Sequence, residues 1–236
     1  MATQARGVAV VSGGGSGIGR EIALELARRG WSLALLGRRP LALRQTLDLA
    51  GGDGIALECD VREAAEVDRM VTEVESRWGA AGIVVPAAGV AHIHPVEELT
   101  PEQIQETLAT NLTGAFLLIR AFVPGMKRRG QGWIFPVLSV AARRGFPGWS
   151  AYCASKWGLA GLVAALREEL QGTGIRLSSL YPGATDTGLW EGVSGEWDRS
   201  RMVPAAEVAR AVGHALDAPA SALVEEVHVG PAGGAL

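Results

Sequence analysis

Apolar residues recur in two rhythms along this chain. Short runs rich in Val, Ile and Leu alternate with longer stretches whose apolar positions fall every three or four residues. Gly7 to Val11 is the first run, and Arg20 to Arg29 follows with Ile22, Leu24 and Leu26 at helical spacing. Trp31 to Leu36 reads as a second strand, Leu41 to Ala50 as a helix, and Ile55 to Glu58 as a third strand. Ala64, Val67, Met70, Val71 and Val74 mark the next helix, and Ile83-Val84-Val85 the fourth strand. Thr100-Pro101-Glu102-Gln103 has the form of a helix start, with Thr as cap, Pro in the first turn and Gln103 reaching back. That helix is expected to pass Asn111 and end near Val123, where Pro124-Gly125 disturbs it. Gly132 to Leu138 makes the fifth strand, and a helix around Tyr152 continues to about Gln171. Ile175 to Tyr181 is the sixth strand, Glu207 to Ala218 a helix and Ala222 to Val229 the last strand. Strict alternation of the two rhythms predicts an α/β fold. It would be one doubly wound parallel sheet of about seven strands, helices on both faces, in a single domain over residues 1–236.

Composition narrows the function classes. At 236 residues, 48% hydrophobic and 20% charged, the chain is ordinary for a globular domain with a sizeable core. A net charge of −3 provides no basic footprint for nucleic acid. No apolar run approaches the ~18 residues of a membrane span, and Gly114 to Ile119 is stopped by Arg120. Met1 to Arg6 leads straight into a strand and lacks a signal-peptide core. Cys59 and Cys153 are the only cysteines, which with that N-terminus suggests a reducing, cytoplasmic setting.

Candidate chemistry begins at the first strand–helix junction. Ser12-Gly13-Gly14-Gly15-Ser16-Gly17-Ile18-Gly19 stands between strand and helix, where backbone N–H groups at a helix start face an anion and missing side chains let it approach. The glycines Gly13, Gly17 and Gly19 are spaced Gly-x-x-x-Gly-x-Gly; the same run is also an ordinary tight turn. The second strand ends in Gly37-Arg38-Arg39, with no carboxylate before Asp48. An acid here would accept ribose hydroxyls, whereas guanidinium suits a 2′-phosphate, so the pattern favours NADP over NAD; two solvated arginines are the plainer alternative. Tyr152 and Lys156 lie four apart on one helix face, where an ammonium beside a phenol would lower the phenol from its ordinary value of ~10. Ser139 closes an apolar run and can face the same cleft. Asn111 is an unusual polar choice within an otherwise apolar helix face. His92 and His94 are two ligands too few for metal and read as loop residues.

In register, these motifs resemble the classical short-chain dehydrogenase/reductase family from Val8 to about Gly230. The resemblance implies a Rossmann-like fold and hydride transfer between a nicotinamide and a carbonyl or alcohol carbon of a small molecule. It makes Asn111, Ser139, Tyr152 and Lys156 the catalytic tetrad, with Asn111 in a proton path from Lys156 to solvent. Ser12 to Gly19 corresponds to the cofactor loop, with Ser12 where Thr is usual. Asp60 and Val61 correspond to the adenine contact, Ala88 and Gly89 to the end of the Asn-Asn-Ala-Gly segment, and Pro182, Gly183, Thr185 and Thr187 to the nicotinamide flank. The resemblance also implies a homotetramer or dimer built on the helices around Asn111 and Tyr152. Three segments depart from the pattern: Pro86-Ala87 replace the two Asn, Thr185 replaces Val, and Asp-Gly-Gly is missing from the C-terminal segment.

Two other readings compete. A non-catalytic NADP(H)-binding regulatory module draws support from the missing amides, although a pure binder has no need of Ser139. Epimerase or dehydratase chemistry on nucleotide sugars would need more chain than the span between Thr187 and Pro204. Phe146, Trp149, Trp190 and Trp197 are candidates to line an apolar pocket; for the last two, a lid is an equal alternative.

Overall fold

The computed structural model describes residues 6–193, 197–219 and 221–234; the N-terminal reading of Met1 to Ala5 lies outside them. Strand β1 (Val8–Ser12) is wholly buried, and its side chains alternate between two cores. Val8 and Val10 join one core; Ala9 and Val11 join the other. Five further parallel strands extend that layer: β2 (Ser32–Gly37), β3 (Gly54–Glu58), β4 (Ile83–Pro86), β5 (Gly132–Ile134) and β6 (Ile175–Leu177). Their order is β3-β2-β1-β4-β5-β6. The chain first winds outward from β1 through β2 to β3, then returns to β4 on the other side. The crevice between β1 and β4 is therefore the topological switch point where such sheets bind ligands.

Helices cover both faces. On one, Ile22, Ala23 and Leu26 of α1 (Gly17–Arg28), Leu43 of α2 (Pro40–Ala50), and Val208, Ala209 and Val212 of α7 (Ala205–Leu216) share a core. On the other, α3 (Ala64–Trp78), α5 (Gly114–Arg129) and α6 (Ser150–Glu169) contribute Val67, Met70, Leu118, Phe122, Leu159 and Val163. Short α4 (Pro101–Leu108) opens with the expected capping box: Thr100 Oγ1 accepts from Gln103 N at 3.3 Å, and Gln103 Oε1 accepts from Thr100 N at 3.0 Å.

Several boundaries differ from the sequence reading. The helix expected to fail at Pro124-Gly125 runs on to Arg129 and ends at Gly130, whose φ of +67° is left-handed. Pro124 and Arg120 both lie on the solvent side, so the carbonyl that Pro124 leaves unpaired is open to water. Residues 101–129 are thereby long and apolar enough to cross a membrane on length and composition. Leu118, Phe122 and Met126 spend that apolar character in the core instead. The sixth strand is split by Ser178 into β6 and β7 (Ser179–Pro182), because Pro136, two residues beyond β5, has no N–H to offer there. Pairing resumes beyond it, with Leu138 N donating to Leu180 O at 2.8 Å. The last strand is shorter than expected, β10 (Glu226–Val229), and pairs with β7; residues 222–225 are irregular. Two residues each form β8 (Thr185–Asp186) and β9 (Val203–Pro204).

Candidate active site

A cleft of about 1260 Å³ opens at the carboxyl ends of β1, β4 and β5. That exceeds the usual range for a single small-molecule pocket, and leaves room for a dinucleotide and a second molecule. One wall is the turn from β1 into α1. Gly13 adopts φ +68°, and a Cβ there would lie 2.9 Å from the Ala88 backbone. A Cβ at Gly19 would lie 2.5 Å from the Gly13 carbonyl oxygen. These contacts require glycine, and they bring bare backbone and the start of α1 to the cleft. Ser16 is the N-cap but makes no capping bond of its own, so the first amides of α1 face outward unsatisfied by it. Gly15, Gly17 and Ile18 complete this wall. The arrangement fits a phosphate-bearing dinucleotide.

The cleft's far end is strongly charged. Arg39 Nη2 donates to Ser16 Oγ at 3.0 Å, tying the end of β2 to the phosphate turn. Arg38 faces Glu106 of α4 at 3.9 Å, and Glu106 also lies 3.8 Å from Arg62 and 2.9 Å from His92 Nε2. Asp60 is gripped by Arg62 at 2.6 Å, which holds its carboxyl below the usual carboxylate range. Val61 lines the floor beside it. Arg62 and Glu106 were not singled out from sequence, although Arg62 stands only two residues after Asp60. His94 contacts Gln103, at 3.3 Å, rather than sharing a ligand set with His92.

Behind the lining sit two residues that hold it. The Ser12 hydroxyl accepts from Ala87 N at 3.1 Å and from Ala88 N at 3.2 Å. Backbone amides thus tie β1 to the segment that lacks the two asparagines. Asn111 lies in a π-helical turn (Ala109–Thr113) between α4 and α5, a local widening that turns its amide inward. Asn111 Oδ1 accepts from Val90 N at 2.8 Å; its Nδ2 donates to Val90 O at 2.9 Å and to Ser155 Oγ at 3.0 Å. Among the described residues, Asn111 makes no direct hydrogen bond to Lys156.

Ser139, Tyr152 and Lys156 converge on the cleft, with Pro182, Gly183, Thr185 and Thr187 opposite. Ser139 caps a short 3-10 turn, its Oγ accepting from Ala141 N at 3.1 Å. Lys156 is buried and donates to Val137 O at 2.8 Å. Its ammonium lies 5.5 Å from the centre of the Tyr152 ring. The expectation that Lys156 would lower the Tyr152 phenol is overturned in this state. Burial pushes the phenol up to about 12, and the Ser139 hydroxyl opposes that only in part. Burial alone pulls Lys156 down to about 8. Both charged forms are disfavoured by the same dry surroundings, so Tyr152 stands as a protonated acid at neutral pH.

The Lys156 shift has a consequence for stability. A lysine in the unfolded chain titrates near 10.5, but here near 8. Between those values the unfolded chain holds the extra proton, so stability rises with pH across the window and is lost as pH falls through 8. Chemical denaturation of wild type and Lys156→Met from pH 7 to 10.5 should show it. The wild type should gain on the order of 3 kcal/mol relative to the variant, and parallel curves would refute the burial argument.

Comparison with known proteins fits this geometry. The short chain dehydrogenase family matches residues 7–196. A sepiapterin reductase of Chlorobaculum tepidum is 33% identical, covering 96% of this chain and 97% of its own length. Among solved structures, an alcohol dehydrogenase of the archaeon Thermococcus sibiricus complexed with 5-hydroxy-NADP has 31% identity and a TM-score of 0.87. That match covers 96% of this chain and 97% of the other. Actinorhodin polyketide ketoreductase with NADPH has 33% identity and a TM-score of 0.87, covering 98% of both chains. A matched family over most of the chain, TM-scores of 0.87 to solved structures and relatives along nearly the full length lead to one conclusion: this chain belongs to the short-chain dehydrogenase family of NAD(P)-dependent oxidoreductases.

Proposed function

We propose that the chain interconverts a carbonyl and an alcohol with NADP(H), using Tyr152 as general acid and base. The observation that carries this reading is convergence: Ser139, Tyr152 and Lys156 share one cleft with the glycine turn and the Arg39–Ser16 pair. When bound, NADPH supplies a hydride to the carbonyl carbon. Ser139 donates a hydrogen bond to the carbonyl oxygen as charge builds there, and protonated Tyr152 delivers its proton to the same atom. Lys156 fixes the strand end through Val137 O. With a nicotinamide cofactor in the cleft, Lys156 would be the residue to hold its ribose hydroxyls. A purely binding role loses its main support, since the Ser12 hydroxyl holds the segment that lacks the asparagines.

The choice of NADP rests on Arg38 and Arg39, with relatives that bind NADP or NADPH in support. Buried, unpaired Cys59 and Cys153 suit a reducing cytoplasm. Self-association as a tetramer or dimer is supported by two large exposed apolar residues, Phe116 on α5 (40%) and Trp157 on α6 (53%).

Three measurements test these statements. Tyr152→Phe removes only the transferable proton, so turnover should fall by roughly 10²–10⁴-fold while NADPH affinity stays near wild type. Retention of substantial turnover would remove Tyr152 from the acid role. Titration should show NADPH preferred over NADH by about ten- to hundredfold, the worth of a charge-assisted bond of roughly 1.5–3 kcal/mol. Arg38→Leu should lose part of that preference and the Arg38→Leu/Arg39→Leu double variant nearly all of it. An unchanged ratio in the double variant would end the phosphate assignment. Light scattering at micromolar concentration should report a tetramer or dimer, and a monomer would count against the helix-face interface.

A further inference from the structure

The geometry points to a substrate class: a flat, conjugated aryl ketone that carries a carboxylate or similar anionic group. This deepens the reductase reading and rests on it. Three tryptophans of the seven in the chain, with Phe146, gather at one end of the cleft. Trp149 immediately precedes α6, so its indole stands edge-on to Tyr152, with centroids 5.4 Å apart at 75°. Trp190 faces Trp149 at 5.6 Å and 62°. Its Nε1 donates to Thr185 O at 2.8 Å, which fixes the indole beside the segment flanking the reacting end. Phe146 and Trp197 extend the array, 6.2 Å from Trp149 and 4.9 Å from Trp190. A carbonyl group that reaches Ser139 and Tyr152 must therefore have the rest of its molecule lying along aromatic faces. Planar π systems gain most from such walls; flexible alkyl chains lose rotamer freedom there and gain only contact area.

Charge sets the second feature. The Arg144 guanidinium lines the same end and lies over the Phe146 ring at 4.6 Å. Among the described residues it has no carboxylate partner. Ring contact leaves its N–H donors available, and a carboxylate takes them in bidentate fashion. Glu191 also lines the cleft and is the group that would favour a cation instead. Both side chains are exposed, but the Arg144 guanidinium is held over the Phe146 ring, which makes it the better oriented of the two. The reaction balances as a two-electron reduction: hydride from NADPH to the ketone carbon, proton from Tyr152 to its oxygen, secondary alcohol and NADP⁺ as products.

The test uses four probe ketones with NADPH: 4-acetylbenzoate, its neutral methyl ester, 4-(aminomethyl)acetophenone and the alkyl keto acid levulinate. Wild type should reduce 4-acetylbenzoate with a kcat/KM at least tenfold above each of the others. Arg144→Leu should bring the acid-to-ester ratio near one, and Trp190→Leu should collapse the aryl-to-alkyl ratio while Trp190→Phe keeps most of it. Quenching of tryptophan emission by the same probes, in the NADP⁺-loaded protein, gives dissociation constants independent of turnover. Probe preference in binding with no turnover of any ketone would uphold the site and reject the reductase reading. Turnover without preference for the aryl acid, or with preference for the aminomethyl ketone, would overturn the site and leave the reductase reading standing.

Discussion

The Asn111 carboxamide is the polar contact on which the two halves of the site depend. It is buried, and all three of its described hydrogen bonds cross between elements. Two go to Val90 in the loop after β4, which carries the cofactor side of the cleft. The third goes to Ser155, one turn from Tyr152, and Ser155 in turn donates to Tyr152 O at 2.7 Å. A buried amide left unpaired costs ~1–3 kcal/mol per lost group, so the three bonds act together or not at all. The π turn is the means by which one polar side chain reaches both elements. An ordinary helix would carry this position around toward its neighbours' apolar face. Gly114 directly after the turn packs so closely that a Cβ would lie 2.7 Å from Val61, which joins the turn to the loop after β3 as well.

Burial then decides the electrostatics. Tyr152 and Lys156 sit four residues apart, as their spacing required, yet their proximity does not yield a phenolate. Desolvation raises the one and lowers the other, and among the described residues the ammonium donates to Val137 O rather than to the phenol. The reducing direction needs an acid, and a phenol protected from ionisation is one.

Much of this was legible in the chain because it depends on local rules. Alternation of strand and helix rhythms located every strand of the main sheet, since period and turn chemistry are short-range. Glycine positions located the close-packed turn from β1 into α1 because only glycine permits the contact of Gly13 with Ala88. What escaped depends on partners distant in sequence. Pro124 looked like a helix end, but a helix tolerates a missing bond where water replaces it. The split at Ser178 is caused by Pro136 in the segment after β5, invisible to a reading of residues 175–181 alone. Glu106 joins the charged end of the cleft through Arg38 after β2, Arg62 after β3 and His92, all distant from it in sequence. The Tyr152 shift missed its sign because sequence gives neighbours and not dryness.

The charge around the end of β2 is unevenly compensated. Among the described residues, Arg38 and Arg62 form ion pairs with Glu106 and Asp60, Arg39 is bonded to Ser16, and the partners are unequal. Asp60 is committed to Arg62 by close contacts, so neither has charge to spare. Glu106 meets Arg38 only at 3.9 Å, with the Arg38 side chain 54% exposed, an arrangement worth ~0–1 kcal/mol in water. Arg39 is bonded to a neutral hydroxyl and keeps its full charge. The end of β2 therefore holds one uncompensated guanidinium fixed against the phosphate turn, and a second that is released at small cost. An anion arriving at that edge would gain two charge-assisted contacts and break one weak one. A neutral ribose would gain neither, because the nearest carboxylates are already engaged.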